Sequence, residues 1–157
     1  MRDHLVDFSG RIADIEEVRE IDRTVDVDGM VHIVNAWRVQ QQLPAVVRAV
    51  LKTDEISWID RNTWDSRTYT CAWTIEPNFL REHITCFGKT SFVAAMGGQG
   101  TRVIFEGELD LDQSVLRASL GSAEKLLAGS IESIVATAIP RNLRGVVEAA
   151  ADFELPR

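Results

Sequence analysis

The sequence contains few of the features that mark secreted, metal-binding or membrane-spanning proteins. It has two cysteines in 157 residues, Cys71 and Cys86, and they form neither a metal-binding nor a redox motif. Two isolated thiols favour a reducing compartment, while a disulfide between them stays open at this point. The amino-terminal residues lack the uninterrupted apolar run of a signal peptide, and no apolar stretch approaches the ~20 residues of a membrane-spanning helix. We therefore expect a cytoplasmic protein that does not insert into membranes.

Positive charge and catalytic motifs are also scarce. Lys and Arg total 17 against 24 Asp and Glu, giving a net charge of −7 at pH 7. A chain this acidic repels phosphate backbones, so we expect no nucleic-acid partner. His4, His32 and His83 lie far apart without metal-ligand spacing, and no serine has the GxSxG context of a hydrolase. The glycines at 97–100 lie between two predicted strands and precede no helix, so they do not form a phosphate-binding loop. We expect no metal and no cofactor.

What the sequence does contain is typical of one globular domain. Hydrophobic residues make up 45% and charged residues 26%, ordinary values for a soluble fold. The length matches a single domain, and no linker, repeat or low-complexity segment divides it. We therefore treat residues 1–157 as one domain.

Hydrophobic periodicity predicts a short helix, a series of strands and a further short helix inserted between them. Leu5, Phe8 and Ile12 share one helical face within residues 2–14, and Pro44 suits the start of a helix that ends near Leu51. Asp28-Gly29 and Asp65-Ser66 are predicted to form tight hairpin turns. The six predicted strands are residues 16–25, 30–39, 56–64, 67–76, 84–96 and 101–112.

An apolar stripe predicts a long carboxyl-terminal helix over residues 123–153. Pro140 lies inside this stripe, where it removes a backbone hydrogen bond and clashes one turn back, so we expect a kink near residues 136–140 or a break into two helices. Strands followed by a helix indicate an α+β fold with an antiparallel sheet. A curved sheet wrapped on one helix leaves a space between them unless large side chains fill it.

This order of elements resembles the helix-grip fold of the START and Bet v 1-like superfamily, also called SRPBCC, which includes polyketide cyclase/dehydrase-like proteins. The resemblance is carried by the strand series and by Ile139-Pro140-Arg141-Asn142-Leu143 in the last helix. The segment from Ile56 through Asp65 is similar to a bacterial branch of that superfamily. The resemblance covers nearly the whole chain, and it implies a hydrophobic ligand cavity between the sheet and the last helix.

The sequence departs from that superfamily at its beginning. Such domains usually start with a long strand that leads into the first helix, whereas Met1 falls inside or just before the first helix. We therefore expect a sheet of about six strands that lacks the usual first strand and has an open edge. An open edge favours pairing with a second chain, which makes a homodimer an option.

The central sheet face carries the best candidates for a binding site. Trp58, Asp60 and Asn62 alternate along one strand, so their side chains share a face that is aromatic with a few polar groups, as in many ligand cavities. Burial would raise the pKa of Asp60 and suit it to acid or base chemistry. The alternative is a solvated face whose tryptophans cover an edge or a helix. The residues expected to line the cavity are Asn35, Trp37, Trp58, Asp60, Asn62, Trp73, Phe92, Ile134, Val135 and Ala138.

Asn35 and Asn142 are candidates for contact with a ligand, but we favour a more ordinary role for each amide. An asparagine at position 35 is more often satisfied by backbone or water than by a ligand. Asn142 could face the cavity, but we favour a position at the surface or a capping role near the kink.

Three functions follow, in order of preference. The first is binding of an apolar small molecule, such as a lipid, isoprenoid or polyketide-like compound. The second is a cyclase, aromatase or dehydratase in which Asp60 is the acid or base. The third is a protein-interaction module that uses the open sheet edge.

Overall fold

The computed structural model describes residues 1–39, 48, 55–112, 114, 129 and 141–153, without the side chains of Phe8 and Leu111. The predicted helix that begins at Pro44, the kink at Pro140 and the helix before residue 141 lie outside these residues. Within them, no helix is long and apolar enough to cross a membrane.

The core of the molecule is one antiparallel sheet in which each strand pairs with the next along the chain. The alternation of apolar and polar residues predicted these strands, and their bounds differ from the expected ones by no more than three residues. Together with a carboxyl-terminal helix, the curved six-stranded sheet confirms the α+β class and fits a helix-grip fold. The strands are β1 Ile15–Val25, β2 Val31–Val39, β3 Ile56–Asp65, β4 Thr70–Pro77, β5 Ile84–Ala95 and β6 Gly100–Leu111.

The helical segments at the two ends of the described chain pack against each other. Helix α1 covers Leu5–Phe8 and continues into a 3₁₀ turn, so it is shorter than the predicted helix over residues 2–14. Helix α2 covers residues 141–151. Val146 and Ala149 of α2 belong to the same buried cluster as Ile12. A Cβ at Gly145 would lie 2.9 Å from Ile12 Cγ2, so the absent side chain permits this close approach.

The β1–β2 hairpin turns where the sequence predicts it. Gly29 has a φ of +79°, which glycine adopts without steric cost. The Asp26 carboxylate accepts hydrogen bonds from the backbone N–H groups of Asp28 and Met30, both at 2.9 Å. The aspartate and the glycine therefore define this turn locally.

The prediction of a tight Asp65-Ser66 turn between β3 and β4 is wrong. Asp65 still pairs with Thr70, so residues 66–69 form the connection. The Asp65 carboxylate accepts a hydrogen bond from the Arg67 backbone N–H at 2.9 Å. Tyr69 ends the turn with a φ of +53° and an exposed side chain.

Cross-strand pairing arranges the inner face of the sheet, the face toward α2, in rows that run across the strands. Directly paired residues point to the same side, so each row contributes one band of the surface beneath α2. The three central rows are Trp64, Cys71, Thr90 and Phe105; Ile33, Asn62, Trp73, Gly88 and Gly107; and Asn35, Asp60, Ile75, Cys86 and Leu109.

Candidate ligand-binding cavity

A cavity lies between the inner face of the sheet, α2 and the amino-terminal segment. The space open to the centre of a water molecule is about 110 Å³. One water needs roughly 10–15 Å³ on this measure, so the cavity has room for a small organic molecule. Six of the ten residues expected to line it do so, namely Asn35, Trp37, Trp58, Asp60, Asn62 and Trp73.

The other four predicted lining residues have different outcomes. Phe92 is not among the residues that line the cavity; it stacks on Trp64, which does line it, with ring centroids 5.7 Å apart. Phe92 therefore packs against a lining residue, on the same face of β5 as Thr90. Ile134, Val135 and Ala138 lie outside the described residues.

Stacked aromatic pairs form much of the wall. Trp37 and Trp58 are paired across β2 and β3, with centroids 5.7 Å apart and planes within 14°. Trp73 and Phe105 stack at 4.6 Å and 7°. Such a pair contributes about 0.5–1.5 kcal/mol to stability beyond the contribution of the apolar surface that it buries. The walls are therefore apolar, flat and well packed.

Asp60 is the buried acid at the centre of this face. Its carboxylate accepts a hydrogen bond from the backbone N–H of Asn35 on the neighbouring strand, at 3.2 Å. Burial raises the pKa of Asp60, and the side chains of Asn62, Asn35 and Trp37 oppose that rise. The Trp37 contribution is the smallest of the three, and its indole N–H makes no hydrogen bond of ordinary length and angle. Desolvation is the largest effect, so the carboxyl group retains its proton to a higher pH than usual.

Three buried N–H donors line the cavity without a hydrogen-bond partner among the described residues. They are Trp37 Nε1, Trp73 Nε1 and Asn142 Nδ2. Leaving one such donor unpaired costs about 1–3 kcal/mol. An oxygen acceptor inside the cavity would remove that cost.

Cys71 also lines the cavity, and its surroundings make it chemically quiet. Burial, and then the charge of nearby Asp60, raise the pKa of the thiol to about 12. Its Sγ lies 3.5 Å from Asn62 Oδ1. Cys86 is also buried, and both cysteines are free, so the open question of a disulfide between them is resolved.

Sequence reasoning missed several lining residues, of which Asn142 is the most informative. We expected Asn142 at the surface or as a cap, but it is 5% exposed and lines the cavity with Leu143 and Val146. The spacing of Asn142 and Val146, four residues apart, places both on the face of α2 toward the sheet. That signal was present in the sequence, but a polar residue inside an apolar stripe has the same spacing whether it caps, faces solvent or faces a ligand.

The amino-terminal segment also contributes to the wall. Met1, Arg2 and Leu5 line the cavity. The Arg2 guanidinium pairs with Asp3 at 2.9 Å and donates a hydrogen bond to Ser66 Oγ at 3.0 Å. Within the described part of the chain, no group of three or more His, Cys, Asp or Glu side chains could hold a metal ion.

The fold and the cavity together define an α+β domain of the helix-grip type. No family model matches the sequence, and no curated protein shows significant similarity to it. Among solved structures, the chain is similar to the Zhui aromatase/cyclase from Streptomyces sp. R1128, with a TM-score of 0.59. The two are 12% identical over 93% of this chain and 80% of that one. At this identity the similarity concerns the fold alone, and it agrees with the resemblance read from the order of strands and helices.

Proposed function

We propose that this protein binds an apolar, largely planar small molecule that carries oxygen acceptors, of a polyketide-like kind, between the sheet and α2. The observation that carries the proposal is the combination of stacked aromatic walls with three buried, unpartnered N–H donors. A purely aliphatic lipid tail or a hydrocarbon isoprenoid would leave those donors unpaired. Similarity to an aromatase/cyclase fold supports a ligand of this class without assigning a reaction.

Native mass spectrometry tests whether the purified protein carries such a ligand. We expect an additional mass on the folded protein that disappears after extraction with organic solvent. The extracted compound should contain carbonyl or hydroxyl oxygens on an unsaturated or aromatic skeleton. A saturated hydrocarbon in the extract would contradict the proposed ligand class.

A matched pair of probes tests the role of the donors directly. Naphthalene and 2-acetylnaphthalene share one ring system, and only the second carries a carbonyl acceptor. We expect 2-acetylnaphthalene to bind more tightly, by about two- to twelvefold, because a hydrogen bond to a buried donor contributes about 0.5–1.5 kcal/mol. Asn142→Leu should reduce that preference, whereas Phe87→Leu, at an exposed position, should keep it. Equal affinity of the wild-type protein for both probes would sink the proposal.

An enzymatic role for the same cavity is the second candidate, and the raised pKa of Asp60 favours it. In its protonated form, Asp60 would donate a hydrogen bond to a ligand carbonyl and pass its proton to that oxygen as an enol carbon of the same ligand bonds to the carbonyl carbon. The enol hydroxyl becomes a carbonyl in this step, and its proton returns to the Asp60 carboxylate. The walls would hold a flexible chain in one folded conformation and exclude water. Asp60→Asn would then abolish turnover of a polyketide-like substrate while leaving its binding in place. Unchanged turnover would remove Asp60 from the mechanism.

A further inference from the structure

Two glycines lie side by side on the inner face, directly beside a tryptophan of the cavity wall. Trp73 on β4 pairs with Gly88 on β5, and Gly88 pairs with Gly107 on β6. The three residues thus belong to one row across the sheet, with strands about 4.8 Å apart. Trp73 is 7% exposed and lines the cavity, so its indole ring lies between the bare backbone of the two glycines and the cavity.

The indole ring occupies the space in which side chains at these two positions would lie. A Cβ at position 107 would be 2.5 Å from Cη2 and 2.9 Å from Cζ2 of Trp73. A Cβ at position 88 would collide with the same two ring atoms and with the backbone carbonyl of Glu106. Neither glycine has a positive φ, so the backbone conformation at these positions suits any residue. At position 107 the closest atoms are those of Trp73, with the Phe87 backbone oxygen at 3.1 Å, so the packing of Trp73 is the main reason for glycine there; at position 88 the Glu106 backbone oxygen excludes a side chain as well.

We propose that Gly88 and Gly107 form a seat for Trp73 and that this seat sets the depth of the cavity, making Gly107 a specificity-determining position for ligand size. The seat is the strip of backbone that these two glycines leave uncovered. A methyl group at position 107 lifts the indole away from the sheet, into the space that a ligand occupies. Phe105 stacks on Trp73 with centroids 4.6 Å apart and planes within 7°, which restricts the movement of the indole ring. The size-selecting role rests on the ligand binding proposed above.

The seat itself is testable without any ligand. Protons that lie against the face of an aromatic ring are shifted upfield in the NMR spectrum by its ring current. We expect the Hα resonances of Gly88 and Gly107, next to Cζ2 and Cη2 of the indole, to be displaced from ordinary values in the wild-type protein and to return to them in Trp73→Leu. Ordinary glycine shifts in the wild-type protein would overturn the seat.

Size selection is tested with acetophenone, 2-acetylnaphthalene and 2-acetylphenanthrene, which carry the same acetyl group on one, two and three rings. Binding is measured by equilibrium dialysis. Gly107→Ala should weaken binding of the three-ring ketone relative to acetophenone by about tenfold or more, since one added methyl in an apolar pocket changes affinity by 10–200-fold. Gly10→Ala is the matched control, because a Cβ at Gly10 meets nothing within 4 Å. Gly10→Ala should leave the ratio of the affinity for the three-ring ketone to that for acetophenone unchanged.

Two further variants keep the test decisive if Gly107→Ala fails to fold. Trp73→Phe replaces the indole with a smaller ring, which deepens the cavity and should strengthen binding of the three-ring ketone relative to acetophenone. Gly107→Ala combined with Trp73→Phe should restore a ratio near that of the wild-type protein. An unchanged ratio in Trp73→Phe, or an equal loss for all three ketones in Gly107→Ala, would overturn the size-selecting role. If the wild-type protein binds none of the ketones, both the size-selecting role and the proposed ligand binding fail. The glycine shifts still decide whether the seat exists.

Discussion

Asp60 takes its chemical character from its neighbours. It lies opposite Asn35 and two residues from Asn62 on the same strand, so two amides and a backbone N–H surround its carboxylate. These contacts favour the charged form, but burial disfavours it more, and the pKa rises. The consequence is a carboxyl group that holds a proton in the folded protein at a pH where an exposed aspartate has lost it.

This raised pKa predicts a specific dependence of stability on pH. Above the ordinary value of 3.8, the unfolded chain loses the Asp60 proton while the folded protein retains it. The Asp60 contribution to the free energy of unfolding therefore falls as pH rises through this window and levels off above the folded-state pKa. Each pKa unit of difference between the folded and unfolded states corresponds to about 1.4 kcal/mol in the free energy of unfolding. Asp60→Asn removes the titration, so its stability relative to the wild type should increase between pH 4 and the raised pKa.

Urea denaturation of both proteins across this pH range gives the measurement. Asp3, Glu20 and Glu76 have pKa values lowered by arginine partners, so their contributions are lost as pH falls. Both proteins share these groups, and the difference between the two curves isolates Asp60. Parallel curves would show that Asp60 titrates normally.

Cys71 offers a second prediction at the residue scale. Because its thiol has a pKa raised to about 12, almost none of it is thiolate at neutral pH. We expect iodoacetamide to leave Cys71 unmodified in the folded protein and to alkylate it in urea, as followed by mass spectrometry of the tryptic peptides. Rapid alkylation in the folded state would contradict the burial of this thiol.

At the scale of the elements, the strands were the most predictable part of the chain. Alternation placed Trp58 and Asp60 on one face of β3, and the structure places both along the cavity with Trp37 and Trp73, which were also expected to line it. Local chemistry also specified the turn at Gly29. The β3–β4 turn could not be predicted in the same way, because Tyr69 adopts a left-handed conformation that its residue type disfavours.

The missed parts of the cavity depend on contacts between distant segments. Thr90 and Phe105 reach the wall through the pairing of β5 with β6, and Asn142 through the docking of α2 on the sheet. When only its own segment is considered, each of these residues could equally well lie outside the cavity wall. The packing of Trp73 on two glycines is of the same kind, since isolated glycines in strands more often suggest a bulge.

The β1–β2 hairpin supplies a prediction at the element scale. Gly29→Ala places a Cβ on a residue with a φ of +79° in otherwise open space, so only backbone strain is added. We expect a loss of about 1–2 kcal/mol in the free energy of unfolding, measured with urea. Gly10→Ala is again the control and should change stability by less than half as much. Equal effects in the two variants would show that the turn tolerates an ordinary residue.

At the scale of the whole molecule, charge governs how the open sheet can associate. β1 and β6 are the terminal strands of the sheet. Glu106, Glu108 and Asp110 alternate along β6, and the chain carries a net charge of −7. A row of like charges on a terminal strand opposes pairing with a second copy. A homodimer through β6 is therefore disfavoured at neutral pH.

This charge arrangement predicts a pH-dependent oligomeric state. We expect light scattering to find a monomer at pH 7 and growing self-association toward the pI of about 4.9. Glu106→Gln combined with Glu108→Gln should move that association to higher pH. The same loss of two charges at the exposed Asp28 and Glu82, which lie in turns outside the strands, is the control for net charge alone. Identical behaviour of the two double variants would assign the effect to net charge rather than to β6.

The parallel Trp37–Trp58 pair has an optical consequence. Two indoles held 5.7 Å apart and within 14° of parallel are close enough for their electronic transitions to couple, so we expect their circular dichroism to differ from that of isolated indoles. A flat guest placed against this pair changes the coupling and quenches the emission of both rings. The wall of the cavity thus carries an intrinsic spectroscopic signal of its own occupancy, readable without any label.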